Sequence, residues 1–80
     1  MRYKVKRWLR WYDRRTDELL GQIKLNMPLY QLQSLFSVRD PNPMFDSFIV
    51  NQDHAEMLEK WVRQAINLVD YEYVVEADAV

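Results

Sequence analysis

The chain begins with an alternation of apolar and polar residues that is typical of a β-strand. Over residues 1–12 the odd positions are mostly apolar or aromatic, whereas the even positions carry most of the bases. Successive side chains of a strand point to opposite faces, so this pattern predicts a strand with one buried face. A polar turn over residues 13–17 follows, and odd positions 19–25 predict one face of a second strand, joined to the first by a loop of about four to six residues. Gly21 lies inside that strand, which indicates a bulge or the close approach of another backbone.

A short helix and a third strand are predicted in the middle of the chain. Asn26 is the expected N-cap, and Pro28 fits the first helical turn, where its missing N–H is not needed. The helix should end near Ser37, because the prolines within residues 38–43 favour a turn. Residues 44–50 then have the hydrophobic density of a buried strand.

A second amphipathic helix and a fourth strand complete the pattern. Asn51 or Asp53 is the expected helix cap, and residues 71–79 alternate again between apolar and acidic positions. Because apolar side chains three and four residues apart share one face of a helix, a single buried stripe is predicted. Its members are Leu58, Trp61, Val62, Ala65 and Ile66.

These elements predict one α+β domain over residues 1–80, in the order β-β-α-β-α-β. A mostly antiparallel four-stranded sheet with both helices on one face, a two-layer sandwich, buries both helical stripes. Opposite charges across neighbouring strands are favourable, so we expect the first and fourth strands to lie side by side. That arrangement would set Lys4, Lys6 and Arg10 against Glu72, Glu76 and Asp78 on the exposed face of the sheet. The aromatic residues expected in the core are Trp11, Phe36, Phe48 and Trp61.

The composition is that of a small globular domain. A chain of 80 residues has room for one hydrophobic core, and 49% of its residues are hydrophobic. The absence of cysteine excludes disulfides and thiolate chemistry. No apolar run is long enough for a membrane span, and the basic N-terminus lacks the apolar stretch of a signal peptide. We therefore expect a soluble, cytoplasmic protein with no membrane association.

The net charge of −1 hides a strong asymmetry. Residues 1–15 have a balance of +6, whereas residues 40–80 have a balance of −7. Such a gradient either pairs with itself in the folded protein or forms two surfaces for two kinds of partner.

The basic strand suggests one candidate site. Aromatic and basic side chains on one sheet face resemble a platform on which single-stranded nucleic acid stacks. Nucleic-acid binders are usually basic overall, however, and this chain is not, so we favour pairing of these bases with the acidic strand. The residues concerned are Lys4, Lys6, Trp8, Arg10 and Tyr12.

Little in the sequence points to catalysis or to a bound cofactor. His54 is the only histidine and is expected near the start of a helix, as a capping residue rather than a metal ligand. The hydroxyl residues have no second histidine with which to form a nucleophilic triad, and one glycine cannot make a phosphate-binding loop. Glu72 and Glu76 share a strand face, but a domain of this size offers little volume for a closed pocket. We expect no enzymatic activity, no metal and no cofactor.

The aromatic content favours binding of another protein. Tryptophan, tyrosine and arginine are enriched at interaction hot spots, and Trp8, Tyr12, Tyr30 and Tyr71 are difficult to bury together. The proline-flanked residues Met44 and Phe45 could be presented to a partner, although we favour a core position for them. A protein partner, or a second copy of the chain, is therefore expected.

Several blocks of sequence carry a family resemblance. They are Tyr12-Asp13 followed by Thr16, then Glu18-Leu19-Leu20-Gly21, Pro43-Met44-Phe45-Asp46, and Tyr71-Glu72-Tyr73 with Glu76-Ala77. Together they resemble a group of small uncharacterised bacterial proteins of one domain, and the resemblance spans nearly the whole chain. Some of these relatives are similar to immunity proteins that neutralise secreted toxins, and others have no assigned role. The resemblance brings no catalytic residues with it.

The resulting hypothesis is a non-enzymatic protein-interaction domain. In its specific form the chain is an immunity protein that binds a basic toxin domain through an acidic face, since complementary charge speeds association. The alternatives are a nucleic-acid-associated module that uses the basic strand, and a self-associating regulatory or assembly protein that forms a homodimer through an edge strand or aromatic patch. The proposed acidic face consists of Asp46, Glu59, Asp70, Glu72, Glu76 and Asp78.

Overall fold

The computed structural model describes residues 5–80, which build a four-stranded sheet with two helices. The strand order is β2-β1-β4-β3, and each neighbouring pair is antiparallel. This confirms the predicted α+β fold and the side-by-side placement of the first and fourth strands. No helix within residues 5–80 is long and apolar enough to cross a membrane. The elements are β1 (Val5–Asp13), β2 (Leu19–Lys24), α1 (Leu29–Leu35), β3 (Phe48–Ile49), α2 (Gln52–Val62) and β4 (Tyr71–Ala79).

The core lies between one face of the sheet and the two helices. Odd-numbered residues of β1 and β4 point into it, because side chains alternate along a strand. Leu32 of α1 and Leu58 of α2 belong to the same buried cluster as Leu9 and Val75, so both helices pack on the same face of the sheet. The buried cluster consists of Leu9, Leu25, Met27, Leu32, Met44, Val50, Ala55, Leu58, Tyr73 and Val75.

The β1–β2 hairpin contains the predicted irregularity. The pairing of Trp11 with Gly21 is followed by that of Tyr12 with Leu19, so Leu20 is an extra residue in β2. This bulge sets Leu19 opposite Tyr12, and the expectation that Leu19 shares the face of Gly21 is therefore wrong. Gly21 also lies under an indole, since a Cβ built on it would stand 2.3 Å from Cζ2 of Trp11. The predicted bulge is present beside Gly21, whereas the group that approaches this glycine is an indole side chain and not another backbone.

The first helix begins later than predicted. Its N-cap is Pro28, which has an extended backbone and no side-chain cap, so the assignment of Asn26 as the cap is wrong. The reason is that the chain stays extended beyond β2: the Leu25 N–H donates to the Arg7 carbonyl at 2.9 Å, and Met27 is buried in the core. The helix ends at Leu35, close to the predicted end.

The third strand is much shorter than the predicted span 44–50. Met44 has a left-handed backbone, with φ of 54°, and accepts a hydrogen bond at 2.7 Å from Nη1 of Arg7 through its carbonyl. That geometry is incompatible with a strand, so pairing begins only at Phe48. Met44 is only 1% exposed, which confirms its expected core position, whereas the same expectation for Phe45 is wrong, since Phe45 is 44% exposed.

The second helix begins as predicted and ends earlier. Asn51 caps it, but the helix stops at Val62, where Arg63 adopts a left-handed backbone, so the expected helical turn through Ile66 is absent. Glu59 Oε2 instead accepts a hydrogen bond from the Ile66 N–H at 2.7 Å, and Ile66 still packs on the core. Of the four expected core aromatics, Trp61 is wrong: it is 40% exposed. Its side chain borders a surface groove between the helices instead of facing the sheet.

Candidate functional site

The second face of the sheet, opposite the helices, is the main candidate surface, and we call it the open face. The even-numbered residues of β1 and β4 point to this face. The residues of β2 and β3 that pair with them in the strand register lie on the same face. Val74 at its centre is only 9% exposed, whereas Ile49 on β3 is 65% exposed. The open face comprises Lys6, Trp8, Arg10, Tyr12, Leu19, Gln22, Lys24, Ile49, Glu72, Val74, Glu76 and Asp78.

An ion pair joins the basic strand to the acidic strand on this face. Arg10 forms a two-pronged ion pair with Asp78, with Nη1–Oδ1 at 3.0 Å and Nη2–Oδ2 at 2.5 Å. The hydrogen bonds to Asp78 raise the pKa of Arg10, and those from Arg10 lower the pKa of Asp78. Lys6 also lies directly opposite Asp78 in the register. The expected pairing of β1 with β4 is confirmed at Arg10 and Asp78, while Lys4 lies outside the described residues.

Tyr12 and Glu76 form a second link between the same strands. The Tyr12 hydroxyl donates to Glu76 Oε1, and the Ser47 hydroxyl donates to Glu76 Oε2 at 3.2 Å. The pKa of Tyr12 is raised to about 12, chiefly by burial of the hydroxyl and next by its hydrogen bond to Glu76. Both oxygens of Glu76 accept hydrogen bonds, so this carboxylate links β4 to β1 and to the residue before β3 as well as adding negative charge to the open face.

Trp8 is held between charged neighbours. The Arg10 guanidinium carbon lies 5.7 Å from the centroid of the Trp8 ring, within the range of a cation–π contact. The Nε1 atom of Trp8 is buried and has no hydrogen-bond partner among residues 5–80. The Arg10 guanidinium therefore covers part of the Trp8 ring, and less of the ring is accessible for stacking with a base.

A shallow depression of about 350 Å³ lies at the acidic end of the open face. Ile49 and Val74 give it apolar surface, and three carboxylates surround that surface. Glu72 makes no hydrogen bond or ion pair with any residue in the described range 5–80, unlike Glu76. The lining residues are Tyr12, Asp17, Ser47, Ile49, Glu72, Val74 and Glu76. Asp17, Ser47 and Ile49 were not expected at a site, because the β1–β2 turn brings Asp17 there and the pairing of β3 with β4 brings Ser47 and Ile49.

The structure brings together only part of the predicted acidic set. Glu72, Glu76 and Asp78 share the open face, as their alternation on β4 requires. Glu59 lies in the helical layer, where it bonds to the Ile66 N–H. Asp70 accepts a hydrogen bond at 2.7 Å from Asn67 Nδ2 in the turn before β4, and Asp46 is exposed in the segment before β3.

His54 has the expected structural position at the start of α2. The backbone N–H of His54 donates to Asn51 Oδ1 at 2.9 Å, and the ring Nδ1 of His54 accepts from the backbone N–H of Asn51 at 3.1 Å. These two bonds form a capping box. The imidazole ring also packs on the ring of Phe36, with 4.2 Å between the two ring centroids. Within residues 5–80, no group of three His, Asp or Glu side chains is placed to hold a metal ion.

Comparison with known proteins identifies a family. A family model described as a domain of unknown function (DUF7683) matches residues 6–76. No curated protein is significantly similar to the chain. The expected resemblance to a small uncharacterised family is confirmed, and a link to toxin immunity stays a prediction.

Proposed function

This chain belongs to the DUF7683 family of domains of unknown function, and we propose that it is a non-enzymatic protein-interaction domain. Its partner would bind the acidic end of the open face. The observation that carries this proposal is the depression in which Glu72 has no partner among the described residues and stands beside the apolar side chains of Ile49 and Val74.

The chemistry of the depression suits a basic protein side chain. The stem of a lysine or arginine is apolar and its head is cationic, so it could lie on Ile49 and Val74 with its charge near Glu72. Specific interfaces commonly have an apolar centre and a charged rim that selects the partner. Asp17 and Glu76 would add to the negative potential at the same place.

Nucleic acid is the less favoured ligand. The bases of β1 that would contact phosphate lie next to the carboxylates of β4, and Arg10 is already paired with Asp78. Phosphate would have to compete with that carboxylate and would be repelled by Glu72 and Glu76. Retention on an immobilised oligonucleotide at moderate salt, abolished by Trp8→Ala, would favour this alternative instead.

Toxin immunity is the specific form of the proposal. A basic toxin domain would supply the cationic side chains, and the small acidic protein would block it by direct binding. It predicts that a gene beside the one for this chain encodes a toxin, and that co-expression of this chain restores growth of cells that produce that toxin. Absence of both effects would remove the immunity form and leave the wider proposal to the next experiment.

Two charge reversals provide a matched test. Glu72→Lys changes the depression, whereas Glu56→Lys makes the same change of net charge on the exposed side of α2. Wild-type protein and each variant would be immobilised, and bound proteins would be quantified by mass spectrometry. We expect a partner that is retained by the wild type and by Glu56→Lys and is lost from Glu72→Lys.

The captured protein would then be purified and titrated calorimetrically against all three forms. Loss of one well-placed charge contact typically weakens binding by about tenfold or more. Glu72→Lys combined with Glu76→Lys should weaken it further, although the second change also removes the link to Tyr12. Equal affinity of wild type and Glu72→Lys would show that the partner does not use the depression.

A further inference from the structure

The edge strand β2 presents unused backbone groups. The Leu25 N–H bonds to the Arg7 carbonyl, and hydrogen-bonded pairs alternate along an antiparallel ladder. Ile23 and Gly21 therefore direct their backbone groups toward β1, whereas Gln22 and Lys24 direct theirs away from the sheet. No backbone hydrogen bond within residues 5–80 uses these outward groups. The edge can thus accept another strand.

The opposite edge of the sheet cannot accept a strand of comparable length. β3 contains only Phe48 and Ile49, and the segment before it leaves the strand conformation at Met44. Pairing of β2 with the β3 edge of another copy would therefore be very short. A copy of β2 is the only strand of the described chain that offers both an edge position and matching length.

Charge along β2 favours antiparallel pairing with itself. Glu18 precedes the strand and Lys24 ends it, and neither side chain has an ion-pair partner in the described part of the chain. When two copies of β2 run antiparallel, the end that carries Glu18 in one copy meets the end that carries Lys24 in the other. A lysine normally protects an edge strand from pairing, but an opposing carboxylate removes that protection.

We propose that the chain forms a two-fold symmetric dimer in which β2 of one copy pairs antiparallel with β2 of a second copy. The two four-stranded sheets then become one continuous sheet, with main-chain bonds from Gln22 and Lys24 at the junction. Like-with-like pairing closes the assembly at two copies and does not propagate into a fibre. This inference uses an edge distinct from the acidic depression and goes beyond the proposed function.

The mass in solution tests the proposal. Sedimentation over a range of concentrations should give a species of twice 9.8 kDa for the wild type. Gln22→Pro removes one outward N–H without touching the ladder to β1, and should give a monomer with an unchanged circular dichroism spectrum. Gln22→Ala is the matched control, since it also loses the side-chain bond to Arg10 but keeps its N–H, and should stay dimeric.

A charge exchange provides a test that needs no proline. Glu18→Lys places like charges at both ends of the junction and should weaken the dimer by about tenfold. Glu18→Lys combined with Lys24→Glu restores opposite charges and should restore the affinity. A wild type that is monomeric at all concentrations would overturn the proposal. So would a dimer that is unaffected by both Gln22→Pro and Glu18→Lys, because it must use another surface.

Discussion

At the scale of single residues, Tyr12 shows how partial burial and one hydrogen bond produce a measurable pH dependence. Its pKa of about 12 in the folded protein exceeds the value of about 10 for an unfolded tyrosine. The folded state therefore favours the protonated phenol, and this stabilisation is complete below pH 10 and is lost as the pH rises through 12. We expect the free energy of unfolding to fall over that window more steeply in the wild type than in Tyr12→Phe.

Urea unfolding of both proteins at intervals from pH 8 to pH 12 measures this difference. The wild type and Tyr12→Phe should differ by a constant amount up to about pH 10, because the phenol is protonated in both states there. Above that pH the two curves should converge. A difference that stays constant to pH 12 would mean that the hydroxyl does not bond to Glu76 in solution.

At the scale of elements, the capping box at the start of α2 is a local interaction with a defined contribution. Asn51→Ala removes the side-chain acceptor for the His54 N–H, and loss of such a cap typically costs about 1 kcal/mol. Gln52→Ala changes the adjacent exposed residue and should alter stability by less than about 0.5 kcal/mol. Chemical denaturation of both variants compares them, and equal losses would show that the cap does not stabilise the helix.

The elements also show what the sequence can and cannot predict. The start of α2 and the position of the turn between the hairpin strands followed from local signals, such as Asn51 and the alternation along β1. The ends depended on distant contacts: Arg7 holds the Met44 carbonyl and shortens β3, and Glu59 bonds to Ile66 after the last turn of α2. The adjacency of β1 and β4 was predicted from complementary charge, but the depression was not, because Asp17 approaches it from the β1–β2 turn and Ser47 and Ile49 approach it from β3 and the residue before it.

At the scale of the whole molecule, three of the described N-terminal arginines, Arg7, Arg10 and Arg14, bond to different parts of the fold. Arg10 pairs with Asp78 on the open face, and Arg14 donates to the Leu68 carbonyl at 2.5 Å. Arg7 lies on the other side of β1 and donates to the carbonyls of Pro43 and Met44, in the segment between α1 and β3. Arg7, Arg10 and Arg14 therefore do not form one patch, and among residues 5–80 the carboxylate of Glu72 has no ion-pair partner on the open face.

Arg7 gives the last prediction, because it joins β1 to the segment between α1 and β3. Its Nη1 and Nη2 donate at 2.7 Å to the carbonyls of Met44 and Pro43, and burial lowers its pKa. Arg7→Met keeps an apolar stem of similar length but leaves both carbonyls without their donor. Since an orphaned, partly buried acceptor costs about 1–3 kcal/mol, we expect Arg7→Met to lower the free energy of unfolding by about 2 kcal/mol.

Arg14→Met is the matched control, since it removes the same charge and also frees a carbonyl, but at an exposed position. Water can replace the lost donor there, so its effect should stay below about 0.5 kcal/mol. Hydrogen exchange should separate the two variants further: the amide of Met44, which donates to Asn42 Oδ1, should lose protection only in Arg7→Met. Equal destabilisation by the two variants would mean that net charge determines their stability, and not the hydrogen bonds that join Arg7 of β1 to the segment between α1 and β3.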